Sequence, residues 1–188
     1  MFLFVILAPF AAFAGLMLVT TETISLFAGA AIAAASIIVD LLRGRSVKVL
    51  AAGATALFTA LGLYGLVGAK GWGSVDARLV IDFGLLAIGL VSIALRAPFT
   101  LQYAREMVEP EIKAQPAFIR TNYVLTWAWS GAFLMMVIAD IASLYLNSLP
   151  VWACVAVTFA ARNAAAFFTG WYSKYRRALF RREICPAA

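Results

Sequence analysis

Histidine is absent from all 188 residues. Its absence removes histidine-ligated haem, histidine metal sites, a serine–histidine triad and a histidine pH switch. Lysine is scarce, and all four copies (Lys48, Lys70, Lys113 and Lys174) fall outside the apolar runs, which excludes a retinal Schiff base. Charged residues make up 13% of the chain, against roughly 25% in a soluble domain. The two cysteines, Cys154 and Cys185, are expected at opposite ends of the last apolar run. A disulfide needs alpha carbons within about 7 Å, so both are expected to be free thiols. No cofactor and no metal site are expected.

What the chain does contain is apolar sequence, with 64% hydrophobic residues and a mean hydropathy of +0.94. A spanning helix needs about 20 mostly apolar residues. Six runs qualify: Phe2–Thr20, Thr23–Leu42, Val49–Ala69, Leu79–Leu95, Thr121–Leu146 and Pro150–Tyr172. Backbone amides and carbonyls cannot stay unpaired in lipid, so runs of this length must be helical. They lack the alternation of membrane-barrel strands. The expected fold class is therefore all-α, a single polytopic transmembrane domain over residues 1–188. A loop at 96–120 and a basic tail at 173–188 complete it.

The basic residues assign an orientation. Arg43, Arg45 and Lys48 follow span two; Arg96, Arg105, Lys113 and Arg120 follow span four; Lys174, Arg176, Arg177, Arg181 and Arg182 follow span six. Only Lys70 and Arg78 belong to the other side, and Arg162 lies within span six. Positive charge resists translocation, so the richer side is expected in the cytoplasm together with both termini. The opening Met1-Phe-Leu-Phe-Val lacks the basic flank of a cleaved signal, so the first run is expected to be a true span. Integration in a bacterial inner membrane follows as the expected location. The Lys174–Arg182 patch is expected to meet anionic inner-leaflet lipids rather than nucleic acid.

Small residues four apart mark close helix contacts. Gly29 with Ala33, and Ala156 with Ala160, are such pairs, suited to packing within the bundle or to a homo-oligomer or membrane-protein partner. Between spans four and five, Pro98 to Glu109 reads as an interfacial helix. Phe99, Tyr103 and Met107 are expected at the headgroup boundary, with Arg105, Glu106 and Glu109 in water, as a candidate gate or docking surface.

A charge in hydrocarbon costs about 2.5–3.5 kcal/mol on insertion scales, so each one requires a reason. Asp40 is expected beside Arg43, and Asp82 one turn from Arg78. Asp140 lies seven residues before Asn147, about 10 Å deep, and Arg162 twelve residues past Pro150, about 18 Å deep. Side chains tilt toward the helix N-terminus, which lifts Arg162 toward Asp140. Two readings follow: a buried Asp140–Arg162 ion pair, or an outward-opening polar cavity of Asp82, Asp140, Arg162 and Asn163. Trp129, Phe133 and Met136 share the helix face of Asp140 as an apolar wall.

Several features together resemble the intracellular septation protein A family of six-span bacterial inner-membrane proteins. They are the basic loop after span two, Arg120-Thr-Asn122 leading into a tryptophan-bearing span five, Asp140 late in that span, Trp152 opening span six, and the Trp171-Tyr-Ser-Lys-Tyr175 exit. The long 96–120 loop and the alanine-rich span two depart from that pattern. The resemblance implies a role in envelope maintenance or division through protein partners. With the residues, the expected function is that of a non-enzymatic inner-membrane protein of envelope homeostasis, acting through lipid or protein-partner binding. The alternative from the residues themselves is a small transporter or substrate-capture subunit using the Asp140–Arg162 cavity. A lipid enzyme lacks any nucleophile–base or metal-ligand cluster in the sequence.

Overall fold

The structure, a computed structural model, describes residues 8–10, 12–13, 15–16, 19–67, 74–145 and 150–184. Its regular elements are all helices: α1 (Glu22–Leu42), α2 (Val49–Leu66), α3 (Ser74–Ala94), α4 (Phe99–Arg105), α5 (Pro110–Lys113), α6 (Pro116–Leu144) and α7 (Val151–Ile184). Five of these, α1, α2, α3, α6 and α7, contain windows long and apolar enough to cross a membrane. The expected first span, Phe2–Thr20, lies largely outside the described residues, as do Lys70, Trp72 and Cys185. Two of its side chains, Phe10 and Phe13, are buried against Phe58 of α2 with ring centroids 5.3 and 5.6 Å apart.

Backbone chemistry sets the ends of these helices. After α1 the chain turns through Gly44 at φ 67°, a left-handed conformation that costs glycine little. The Gly44 amide donates to the Leu41 carbonyl (3.0 Å) and the Arg45 amide to the Asp40 carbonyl (2.8 Å). This two-bond pattern closes a helix C-terminus. The reversal after α3 uses Arg96 at φ 55°, and Ser92 secures it. The Ser92 hydroxyl donates to the Gly89 carbonyl (2.7 Å) and accepts from the Phe99 amide (3.2 Å). Pro98 then precedes α4, while Pro110 and Pro116 open α5 and α6 from positions where a missing amide costs nothing.

Antiparallel packing pairs α1 with α2 and α6 with both α3 and α7. The α1–α2 contact is reciprocal: Phe58 of α2 sits over Gly29 and Phe27 of α1 sits over Gly62, where an added Cβ would come within 3.3 and 3.0 Å of the rings. Gly29 and Ala33 are therefore buried inside the subunit, in keeping with the packing alternative, with an aromatic knob of α2 seated over Gly29. Ala156 and Ala160 on α7 are exposed.

α6 is the most buried spanning helix and α7 the least. At 29 residues α6 is about 43 Å long, and α7 at 34 residues about 50 Å, both longer than a hydrocarbon core of about 30 Å. The segment expected as a tail is thus a helical extension of the last span as far as Ile184. Likewise α3 begins at Ser74, five residues before the expected Leu79, which places Arg78 inside a helix.

Candidate functional site

Three features converge on the contact of α3, α4, α6 and α7. The first is a charged quartet. Arg78 of α3 donates to Asp140 of α6 at 3.1 Å, and Arg162 of α7 lies 3.5 Å from Asp82 of α3. Each aspartate also lies within electrostatic range of the other and of both arginines, so the four charges form one cluster of zero net charge.

This arrangement corrects both expected pairings. Asp140 takes Arg78, not Arg162, and Asp82 takes Arg162, not its helix neighbour Arg78. Depth explains the exchange. Arg78 lies four residues into α3 and Asp140 four residues before the end of α6, both about 6 Å from the same end of the bundle. Arg162 starts deeper, eleven residues into α7, and its backward tilt brings it level with Asp82, eight residues into α3. Once α3 starts at Ser74, Arg78 is the arginine closest in height to Asp140.

Asp140 is fully buried, with its Oδ2 lacking a hydrogen-bond partner, and the buried Arg162 Nε lacks one too. Both aspartates of the quartet are thus buried, while Arg78 and Arg162 are partly exposed. Asn163 is exposed and bonds the Phe159 carbonyl one turn back (2.7 Å), so it takes no part in the cluster.

The second feature is a cavity of about 880 Å³ on the other side of Arg162, running toward the end of the bundle that carries α4. Its apolar wall includes Leu85, Phe99, Leu125, Trp129 and Phe133. Trp129 and Phe133 share the face of Asp140 as the helical spacing requires, with ring centroids 5.8 Å apart. The Trp129 indole N–H donates to Thr169 Oγ1 of α7 at 3.0 Å, so its polar edge is satisfied while its ring faces the cavity. Arg176 and Arg177 of α7, with Glu109 before α5, contribute charge at the α4 end. Arg162 therefore stands at one end of an apolar cleft whose lining runs to Glu109, Arg176 and Arg177 at the α4 end.

The third feature holds α4 in place as one wall of that cleft. Lys48 is almost wholly buried, and its ammonium donates to Asp40 Oδ2 at 2.6 Å and to the Ser46 carbonyl at 3.3 Å. It also lies 2.9 Å from Glu106 and over the Tyr103 ring, 5.6 Å from its centroid. Arg45 stands 3.8 Å from both carboxylates. The Val49 amide donates to Gln102 Oε1 (2.8 Å), and Thr100 donates to the Asn122 carbonyl (2.8 Å) and meets Thr126 Oγ1 (2.7 Å). Burial, reinforced by the Asp40 and Glu106 carboxylates, pushes the Tyr103 hydroxyl above its ordinary range, so it stays protonated at physiological pH.

Several expectations change accordingly. Asp40 bonds Lys48 and Arg45 rather than Arg43. Phe99 and Tyr103 are buried in the core instead of lying at a headgroup boundary, and Glu106 joins the buried cluster instead of facing water. Arg105 and Met107 are exposed. The reason is that α4 packs across the bundle end, where Lys48 requires a second carboxylate. Sequence reading missed Lys48, Glu106 and Arg78 as site residues. Their one available signal was sign: Glu106 is an acid in a basic loop, and Arg78 stands four residues from an intramembrane acid.

Cys154 is buried, its thiol against the Ala139 carbonyl at 3.2 Å. No family model, curated protein or solved structure matches the chain. Its own geometry carries the assignment: five described helices of spanning length and apolarity, with their charged groups paired inside the bundle, identify an integral membrane protein.

Proposed function

We propose that this is a non-enzymatic protein of a bacterial cytoplasmic membrane that holds the apolar chain of a membrane amphiphile in the cleft between α4, α6 and α7. The supporting observation is the cleft itself. Its volume of about 880 Å³ falls within the range of about 300–1,000 Å³ typical of small-molecule sites. Its wall combines aromatic and aliphatic side chains with a few polar groups, Thr100 and Asn122 among them. The non-enzymatic part of the reading rests on a sequence without histidine and on Asp82 and Asp140 being engaged by arginines in the structure. A role in envelope homeostasis rests on the family resemblance of the last 70 or so residues.

The test fills the cleft. Ala166 is partly buried on its wall, and Ala166→Phe places a ring there. Native mass spectrometry of the protein released from mild detergent is expected to show retained lipid in the parent and its loss in Ala166→Phe, with helical circular dichroism unchanged. Lipid retained equally by both would overturn the reading.

A transport reading has one observation in its favour, namely that the cleft ends on Arg162, whose partner Asp82 belongs to the quartet nearer the opposite end. It requires Arg162→Lys and Arg162→Ala to abolish uptake in cells while the protein remains in the membrane.

A further inference from the structure

Resting on the reading of the cleft as an amphiphile site, we infer that its occupant is an anionic glycerophospholipid. The headgroup sits between Arg176 and Arg177, and one acyl chain runs inward past Trp129 to Arg162. Apolar lining alone cannot select a ligand here, because bilayer hydrocarbon solvates an acyl chain as well as leucine does. Selection must come from charge.

Four charged residues line the cleft: Glu109, Arg162, Arg176 and Arg177. Arg162 is held by Asp82 inside a quartet of zero net charge, so the inner end has no excess charge with which to hold an anion. Arg176 and Arg177 have no ion pair among the described residues, and against them stands only Glu109, leaving the rim at net +1. The anion-binding end is therefore the rim.

Two further observations indicate a lipid of the surrounding leaflet rather than a soluble anion. Trp171, Tyr172 and Tyr175 stand on α7 at the height of the rim, with Trp171 and Tyr175 exposed on the face turned away from the cleft and their rings stacked at 5.7 Å; such aromatic groups mark the headgroup level of a membrane. Arg162 and Arg176 are fourteen residues apart on one helix, about 21 Å. A chain of C–C bonds of about 1.5 Å advances about 1.3 Å per bond in zigzag, so about 16 carbons cover that distance. This matches an ordinary membrane acyl chain.

Trp129 supplies the readout, because it is buried from bulk lipid and lines the cleft. In a variant retaining only this tryptophan (Trp72, Trp127, Trp152 and Trp171 each replaced by Phe), acyl-brominated phospholipids quench fluorescence only from within the cleft. Half-quenching by brominated phosphatidylglycerol is expected at about fivefold lower mole fraction than by brominated phosphatidylcholine at low salt. The preference should disappear in the double variant Arg176→Gln, Arg177→Gln, increase in Glu109→Gln, and shrink as salt screens the rim.

Equal quenching by the two lipids, or a preference that survives the double arginine variant, would overturn the anionic assignment while leaving an amphiphile in the cleft. Quenching by neither lipid would instead remove the underlying site. Displacement of the brominated lipid by millimolar glycerol phosphate would reassign the rim to a free phosphate ester and overturn the lipid. Failure of glycerol phosphate to compete supports it.

Discussion

Lys48 shows why single side chains dominate the energetics at the α4 end. A buried ammonium is tolerated only while both its carboxylates remain, and Asp40, Glu106 and the Tyr103 ring together replace its water. Lys48→Met leaves two acids facing each other at low exposure and is expected to cost about 3–5 kcal/mol, the usual penalty for breaking a buried pair from one side. Thermal unfolding in detergent measures it. The triple replacement Asp40→Asn, Lys48→Met, Glu106→Gln should recover much of the loss, since the only cluster charge left is that of Arg45, which is exposed enough to keep its water. Destabilisation by the triple variant as large as by Lys48→Met alone would contradict this account.

The quartet makes a second claim at the same scale, about which arginine serves which aspartate. A double-mutant cycle between Arg78→Met and Asp140→Asn is expected to give a coupling of about 0.5–3 kcal/mol, as residues in contact do. The cycle between Arg162→Met and Asp140→Asn should give a clearly smaller value. The reverse order would restore the pairing that sequence spacing suggests. That spacing misled for a definite reason: hydropathy places the start of a span where the apolar run starts, while the α3 helix extends five residues beyond that limit and carries Arg78 with it.

Among the helices, the small residues divide into two groups that look alike in sequence. Gly62 and Gly29 lie under phenylalanine rings, so any Cβ must displace a ring packed between two helices. Ala156 and Ala160 face outward on α7. Gly62→Leu is therefore expected to destabilise by about 1–3 kcal/mol or more, as overpacking does, whereas Ala160→Leu should lie within about 0.5 kcal/mol of the parent. Equal losses would mean that α7 is covered by another chain under the conditions of measurement.

Hydropathy located the starts of α1, α2 and α7 to within one residue and placed that of α6, like that of α3, five residues late, and α4 was legible from Pro98 and the apolar spacing after it. The face α4 buries was not legible. Phe99, Tyr103 and Met107 are spaced as one stripe, yet the first two enter the core and the third is exposed, because α4 is only seven residues long and ends at Arg105.

At the scale of the whole molecule, the turn after α1, the α4–α5 segment and the end of α7 gather at one end of the bundle. The Lys48–Glu106 and Val49–Gln102 contacts join the first two, and the shared cleft lining joins the third. Basic residues separated by more than a hundred positions thus form one charged end, as the positive-inside tally requires of segments sharing a compartment. Exposed probe sites at the two ends test the compartment itself. In intact cells, on a Cys185→Ala background, a membrane-impermeant maleimide is expected to label Pro150→Cys and to spare Met107→Cys until the membrane is permeabilised. Labelling of Met107→Cys in sealed cells would invert the orientation.

The sequence by itself determined the class of molecule and the approximate extent of the five described spans. Those properties follow from how many consecutive apolar residues a bilayer demands, a sum over local composition that needs no knowledge of neighbours. It also singled out Asp82, Asp140, Arg162 and Trp129, because an intramembrane charge is costly wherever it points. Only the tertiary structure decided which charge meets which, and that a cleft runs from Arg162 toward the basic end. Those outcomes depend on relative helix heights of a few ångströms and on the crossing of α4. Such small displacements carry no weight in a hydropathy sum, yet they decide every ion pair.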